Sequence, residues 1–193
     1  MNQIDMSMDY LILVNNTHKI PADYIHGLDL ITMHGYDNEV YSVEKNTAAQ
    51  FCELQKASAQ KGIEILLTSA YRSVERQQEI KDEMLEEYGE DYVRQFVAVP
   101  GYSEHHTGLA LDFVAKIDNQ WLIWKKEIFE HVKELQPIYD LLPQYGFILR
   151  YIAGKEEITG YPAEPWHIRY VGDPAIASEI MERGITLEEY LEK

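Results

Sequence analysis

With one cysteine, Cys52, the 193-residue chain can form no internal disulfide, and the setting of that thiol among helix formers with apolar neighbours is that of a buried side chain. No His-plus-acid pattern accompanies it, so a cysteine nucleophile is not expected. Basic residues are scarce too: 17 Lys and Arg stand against 33 Asp and Glu, a formal net charge of −16. Such a chain repels nucleic acid and anionic lipid, which excludes a nucleic-acid partner. Long apolar runs are missing as well. Near the start only Tyr10-Leu11-Ile12-Leu13-Val14 is apolar, and acids rather than bases precede it, the pattern of neither a signal peptide nor a membrane span. The expectation is a cytoplasmic protein, or one of the cell envelope if a leader has been removed. There is no internal repeat or low-complexity stretch, and nothing in the sequence speaks to the oligomeric state.

A chain of this length buries most of its apolar surface and suits one domain, residues 1–193. Apolar residues recur near helical spacing from Val43 to Gly62 (Ala48, Phe51, Cys52, Leu54, Ala57), and Gly62 is a natural helix stop. Ile63 to Thr68 reads as a buried strand feeding the Tyr71-Arg72-Ser73 loop, and Val74 to Tyr88 as a charged helix. Tyr10 to Val14 predicts a short strand or extended segment. Trp121 to Leu135 predicts a connection or surface helix, with Trp121 and Trp124 in the core or a pocket wall. Ile138 to Tyr145 and Asp173 to Glu182 read as helices, and Phe147 to Tyr151 as a strand that forms a hairpin with the segment around Glu164. The acidic runs Lys81 to Glu90 and Glu188 to Lys193 read as solvated helix faces, and His18, His26 and His34, without matching acids, as loop or surface residues. This order predicts an α+β domain: a central, mainly antiparallel sheet with helices packed on one side.

The chemistry concentrates in Ser103-Glu104-His105-His106-Thr107-Gly108-Leu109-Ala110-Leu111-Asp112-Phe113 and, further on, in Glu164-Pro165-Trp166-His167. From Leu109 the run alternates. Leu109, Leu111 and Phe113 take one face and Ala110 and Asp112 the other, so the strand turns Asp112 into a cleft while its apolar face meets the core. Gly108 lets the backbone bend until His105 folds back over the same place. A regular strand would separate Glu164 from His167, but Pro165 allows a local twist that brings both to one side. Two imidazoles and a carboxylate can hold a zinc ion and leave a fourth position for water, and Glu164 is a spare carboxylate able to take that water's proton. Either motif alone fits an ordinary turn or strand end; the two together, in this order, favour the metal. Arg72, at the end of a buried strand, suits a guanidinium aimed into the cleft at an oxyanion or a carboxylate, the alternative being a structural ion pair.

Ser103, His105, Gly108, Ala110 and Asp112 fit the pattern SxHxxGxAxD, and Glu164 to His167 fit ExWH. In these motifs the sequence resembles the zinc D-alanyl-D-alanine carboxypeptidases of the LAS group, in particular the VanY-like and VanXY-like branches. The resemblance extends to Ser69-Ala70-Tyr71-Arg72-Ser73 with Gln77, similar to the YRSxxxQ stretch of the VanY-like branch, and spans about Leu11 to Gly172. It implies one zinc per chain held by His105, Asp112 and His167, with Glu164 as general base and Arg72 binding or polarising the substrate. Gln77 is expected to reach the same cleft. Ser103 keeps two readings: a hydroxyl for the substrate's terminal carboxylate, or a cap for the turn that carries His105. His106 is not required by the pattern.

The implied reaction is hydrolysis of the D-Ala-D-Ala bond of the free dipeptide, of peptidoglycan precursor peptides, or of both, as in a VanXY-type glycopeptide-resistance enzyme. Two rivals stand beside it: an exported D,D- or L,D-carboxypeptidase that trims peptidoglycan stems, and a non-catalytic zinc-binding module. A purely structural site has no need of Glu164 or a cleft arginine, which argues against the second.

Overall fold

The structure, a computed structural model, describes residues 8–192. Residues 1–7, part of the segment read as free of a leader, and Lys193, the end of the acidic tail, lie outside the described residues. After an irregular opening come a short helix α1 (Ala22–His26) and a hairpin of β1 (Leu30–His34) and β2 (Val40–Glu44), paired antiparallel with Leu30 opposite Glu44. The sequence does not announce this hairpin, because Ile31 and Val40 are exposed and the strands lack a clean inward–outward alternation.

The helix expected over 43–62 is α2 (Lys45–Gln60). It starts where the Glu44 carboxylate accepts from the Asn46 and Thr47 amides, so Val43 and Glu44 stay in the strand before it. Its buried face, Thr47, Ala48, Phe51, Leu54 and Ser58, follows helical spacing. Cys52 falls beside that face and is only half-buried. Next come β3 (Glu64–Ser69), α3 (Val74–Tyr88), whose first turn is capped by Ser73, and α4 (Glu90–Phe96). A 3-10 turn over Glu104–Thr107 leads into β4 (Ala110–Ile117) and β5 (Gln120–Leu122). Then follow α5 (Lys125–Glu130), α6 (Gln136–Tyr139), β6 (Phe147–Leu149), α7 (Glu156–Thr159), β7 (His167–Tyr170), α8 (Pro174–Arg183) and α9 (Leu187–Leu191).

The main sheet runs β3-β4-β7-β6, with β5 paired to the far end of β4, and every pairing in it is antiparallel. Its register decides what each face carries. Asp112 lies opposite His167 and Ala110 opposite Arg169, while Leu111 lies opposite Ile168. Opposed residues share a face and neighbours alternate, so Asp112, His167 and Arg169 stand together on one side. Leu111, Phe113, Ile168 and Tyr170 point the other way, into a core shared with Phe51 and Leu54 of α2. Each such side chain contributes on the order of 1.5–3 kcal/mol by leaving water.

Four expectations are corrected. Tyr10 to Val14 forms no strand, because the carbonyls of Tyr10 and Ile12 are taken up by the Arg169 guanidinium instead of a neighbouring strand. Helix 138–145 breaks into α6 and a 3-10 turn over Leu142–Tyr145, since Pro143 has no amide to continue the ladder. Trp124 is 68% exposed, outside any core, at the start of α5. In the acidic tail, Glu188 is buried against Arg150 rather than solvated. Among the described residues no helix is long and apolar enough to cross a membrane.

Gly108 sits at φ 69°, and a Cβ there would come within 3.2 Å of both the Glu44 Cβ and the Leu30 Cδ2 atoms. Its carbonyl accepts from the Glu44 amide, so the turn and the β1–β2 hairpin are seated on each other. Gly108→Ala is expected to cost about 1–2 kcal/mol from the left-handed backbone alone. The urea unfolding midpoint measures this; an unchanged midpoint would mean that the fold does not hold residue 108 in the left-handed region.

Candidate metal centre

Each predicted ligand is aimed by a different piece of backbone. The 3-10 turn ends at Gly108 in the left-handed region, which folds His105 back over β4. The His105 Nδ1–H donates to the Ala70 carbonyl at 2.8 Å, so Nε2 is the nitrogen left facing Asp112, 3.6 Å from its Oδ2. His167 is turned the other way round. Its Nε2–H donates to the Glu104 carboxylate at 3.1 Å, and its Nδ1 lies 3.1 Å from Asp112 Oδ1 and 3.5 Å from Glu164 Oε2. Ligand atoms from His105, Asp112 and His167 all lie within 4.8 Å of one another, and this is the one such group among the described residues.

These residues fit a bound dication. Asp112 Oδ1 is buried and accepts no hydrogen bond, although His167 Nδ1 lies only 3.1 Å from it. A neutral His167 held through Nε2–H would set a lone pair against a carboxylate, so either a proton or a cation must stand between them. A set of two imidazole nitrogens and a carboxylate oxygen suits zinc with an open position. Burial pushes His105 down to about 3, which keeps it a neutral donor. Burial would also lower His167, but the Asp112 and Glu104 carboxylates outweigh it and hold the ring up to about 9. For Asp112 burial acts upward and is overcome by His105 and His167, leaving the carboxyl below its usual range.

Glu164 reaches the site by a turn, not by a twisted strand. The His167 amide donates to the Glu164 carbonyl at 3.0 Å, and Pro165 occupies the bend between them. Burial raises the Glu164 carboxyl, Asp112 raises it further, and His167 only partly opposes them. Arg72 follows β3, whose pairing with β4 shifts at a bulge that sets Ser69 opposite Asp112. Its guanidinium donates to Gln77 Oε1 at 2.8 Å and to Ser69 Oγ at 3.0 Å, while its amide donates to the His105 carbonyl.

Arg72, Ser103, His105, Asp112, Glu164 and His167 line one small cavity of about 90 Å³. Ser103 makes no cap hydrogen bond to the turn, and it lines the cavity. Gln77 is placed differently: it is buried behind Arg72, with its amide nitrogen donating to the Ala98 carbonyl, and it does not line the cavity. His106 is no idle neighbour, since its Nδ1–H donates to the Arg72 carbonyl at 2.6 Å and its Nε2 accepts from the Gly101 amide at 3.0 Å. Larger hollows of about 650 and 590 Å³ lie elsewhere and contain none of these residues.

Sequence reasoning missed Phe96, Ala98, Glu104, Lys125, Tyr151 and Tyr161, which complete the cavity wall. Glu104 stands inside the quoted motif and its acid beside a ligand histidine was the available signal. The two tyrosines come from loops whose path only the fold fixes.

A family model described as VanY, D-alanyl-D-alanine carboxypeptidase, matches residues 40–173. The chain is 37% identical over 186 residues to the bifunctional D-Ala-D-Ala dipeptidase and D-Ala-D-Ala carboxypeptidase VanXYC of Enterococcus gallinarum, covering 95% of this chain and 94% of that protein. It spans 67% and 65% of the length of two further curated relatives, each 36% identical. Among solved structures, a variant of the D,D-pentapeptidase VanY from the VanB-type resistance cassette, in complex with Zn(II), matches with a TM-score of 0.74 and 34% identity, covering 94% of this chain and 98% of that one. The LD-carboxypeptidase LdcB matches with a TM-score of 0.79 and 34% identity, covering 98% and 89%.

The raised His167 carries a pH signature. A group whose folded pKa, about 9, exceeds its ordinary 6.5 lends stability that is complete below pH 6.5 and lost as the pH climbs through 9. The urea midpoint of metal-free protein is therefore expected to fall between those pH values, and zinc, by displacing the proton, to flatten the fall. A flat profile without metal would show that no proton sits between His167 and Asp112.

Proposed function

This chain belongs to the VanY family of D-alanyl-D-alanine carboxypeptidases, and on that premise we propose that it hydrolyses the D-Ala-D-Ala bond both in the free dipeptide and in precursor peptides that end in it. The enzyme class is a zinc-dependent D-alanyl-D-alanine peptidase. His105, Asp112 and His167 hold the metal in this reading, and the observation that carries it is the convergence of their ligand atoms around an orphaned Asp112 oxygen. When bound, zinc supplies Lewis acidity to the scissile carbonyl and acidifies a water molecule.

The chain's own residues do the rest. Glu164, its carboxyl raised above the usual carboxylate range by burial, accepts a proton from the attacking water and delivers it to the departing D-alanine amine. Arg72, braced by Gln77 and Ser69, presents directed N–H groups to the developing oxyanion or to the substrate's terminal carboxylate. Ser103 offers its hydroxyl to that carboxylate. The small cavity, walled by Tyr151 and Tyr161, suits a terminal residue whose side chain is one methyl group. Likeness to VanXYC along nearly its whole length supports action on both substrates. A cytoplasmic site of action is part of this reading.

D-Alanine release from D-Ala-D-Ala and from a pentapeptide ending in it, measured side by side on zinc-loaded protein, tests the assignment. Release from both is expected. Release from neither, or only from a tetrapeptide with an L,D bond, sinks it. His105→Ala, Asp112→Ala and His167→Ala are each expected to lose stoichiometric zinc.

Glu164→Ala is expected to keep zinc and lose roughly 10²- to 10⁴-fold in turnover; near-normal turnover would remove it from the mechanism. Arg72→Lys should recover only part of what Arg72→Ala loses, because a point charge on a flexible stem replaces a planar fork. Identical kinetics in the two variants would show that the fork geometry has no role.

A further inference from the structure

Behind the ligands runs a chain of buried charges that the mechanism does not use. Glu104 Oε2 accepts from His167 Nε2–H, and its Oε1 accepts from both Arg150 Nε and Arg169 at 2.7 Å. Arg150 then turns its other two nitrogens onto Glu188 of α9, in a bidentate pair at 2.9 and 2.7 Å. Asn15 donates to the same Glu188 carboxylate at 3.1 Å. Glu104, Arg150, Arg169 and Glu188 are each less than a tenth exposed. The two carboxylates and two guanidinium groups balance, so no member can be removed without leaving a buried charge uncompensated.

The placement of the chain is informative. Glu104 is the residue before the ligand His105 and touches the ligand His167, so it joins the two imidazoles from behind. By holding Nε2–H it decides which nitrogen of His167 faces Asp112. Its own oxygens are in turn fixed by guanidinium groups, one of which is clamped by a helix far along the chain.

We infer that Glu104 is a positioning residue for His167, and that α9, acting through Glu188 and Arg150, is a strut that holds Glu104 in place and thereby sets how tightly the site retains zinc. This inference rests on the assignment of His105, Asp112 and His167 as ligands. Linkage makes it reciprocal: if docking of α9 favours zinc, zinc must favour docking of α9 by the same factor.

Zinc affinity and dissociation rate are measured by chelator competition on the full chain. Wild type holding one zinc and His167→Ala losing it establishes the ligands first, and failure at that step overturns the ligand assignment together with the strut. Glu188→Gln, which breaks the bidentate pair with little change in shape, and Glu104→Gln are then expected to weaken zinc roughly 10- to 100-fold, the range for a lost partner behind a metal ligand.

Leu54→Ala, a core truncation in α2, is the control for lost stability and is expected to keep wild-type affinity. Should Glu104→Gln fail to fold, Glu188→Gln decides, together with amide hydrogen exchange over residues 187–191, which zinc is expected to slow in the wild type. Wild-type affinity in Glu188→Gln, an equal loss in Leu54→Ala, or exchange in α9 indifferent to zinc overturns the strut while leaving the ligands standing.

Discussion

The antiparallel register of β4 against β7 is the constraint on which the site depends. It sets Asp112 opposite His167, and because side chains alternate along a strand, a slip of one residue would send both into the apolar core. The register is itself pinned from the core side, where Leu111 opposes Ile168 and both are wholly buried. Burial of the apolar face and assembly of the polar one are therefore a single event. The remaining proposed ligand, His105, is brought in by a turn that ends in a residue of positive φ, a conformation that Gly108 accommodates.

Electrostatics inside the protein run against its overall charge. The surface is strongly acidic, yet the largest fully buried side chains are arginines, Arg150 and Arg169. Both converge on Glu104, whose carboxyl burial would raise but which the two guanidinium groups hold well below the usual carboxylate range. The two guanidinium groups thus favour the Glu104 anion, which accepts the His167 Nε2–H. Arg169 also ties down the segment around Tyr10 and Ile12, so one side chain serves the metal site and the opening of the chain together. Replacing such a network by apolar groups often leaves stability unchanged, so its retention is better explained by the orientation it imposes than by energy alone.

The two side chains assigned to catalysis in the proposed reaction, Arg72 and Glu164, divide by how they are held. Arg72 is fastened at its amide, its carbonyl and both ends of its guanidinium, through His105, His106, Gln77 and Ser69. Glu164 is held through its backbone: its amide donates to the Tyr151 carbonyl and its carbonyl closes the turn to His167. A guanidinium so braced presents a fixed fork to charge as it develops, whereas a base must swing between a water and a leaving group.

The sequence by itself determined the strand that carries Asp112, the helices over α2, α3 and α8, and six of the residues that meet in the cavity: Arg72, Ser103, His105, Asp112, Glu164 and His167. Those follow from local rules: alternation, helical spacing, a glycine at a bend, and two short motifs dense in metal-binding types. Only the tertiary structure decided that Glu164 reaches His167 by a turn, that Gln77 braces Arg72 from behind, and that Glu188, in an acidic tail that reads as solvated, is buried against Arg150. It also decided that Tyr10 to Val14 surrenders its carbonyls to Arg169. Each of these is a contact between residues distant in the chain. The free energy that selects such a partner comes from burying and pairing a charge in a particular place, and no local pattern records where that place will be.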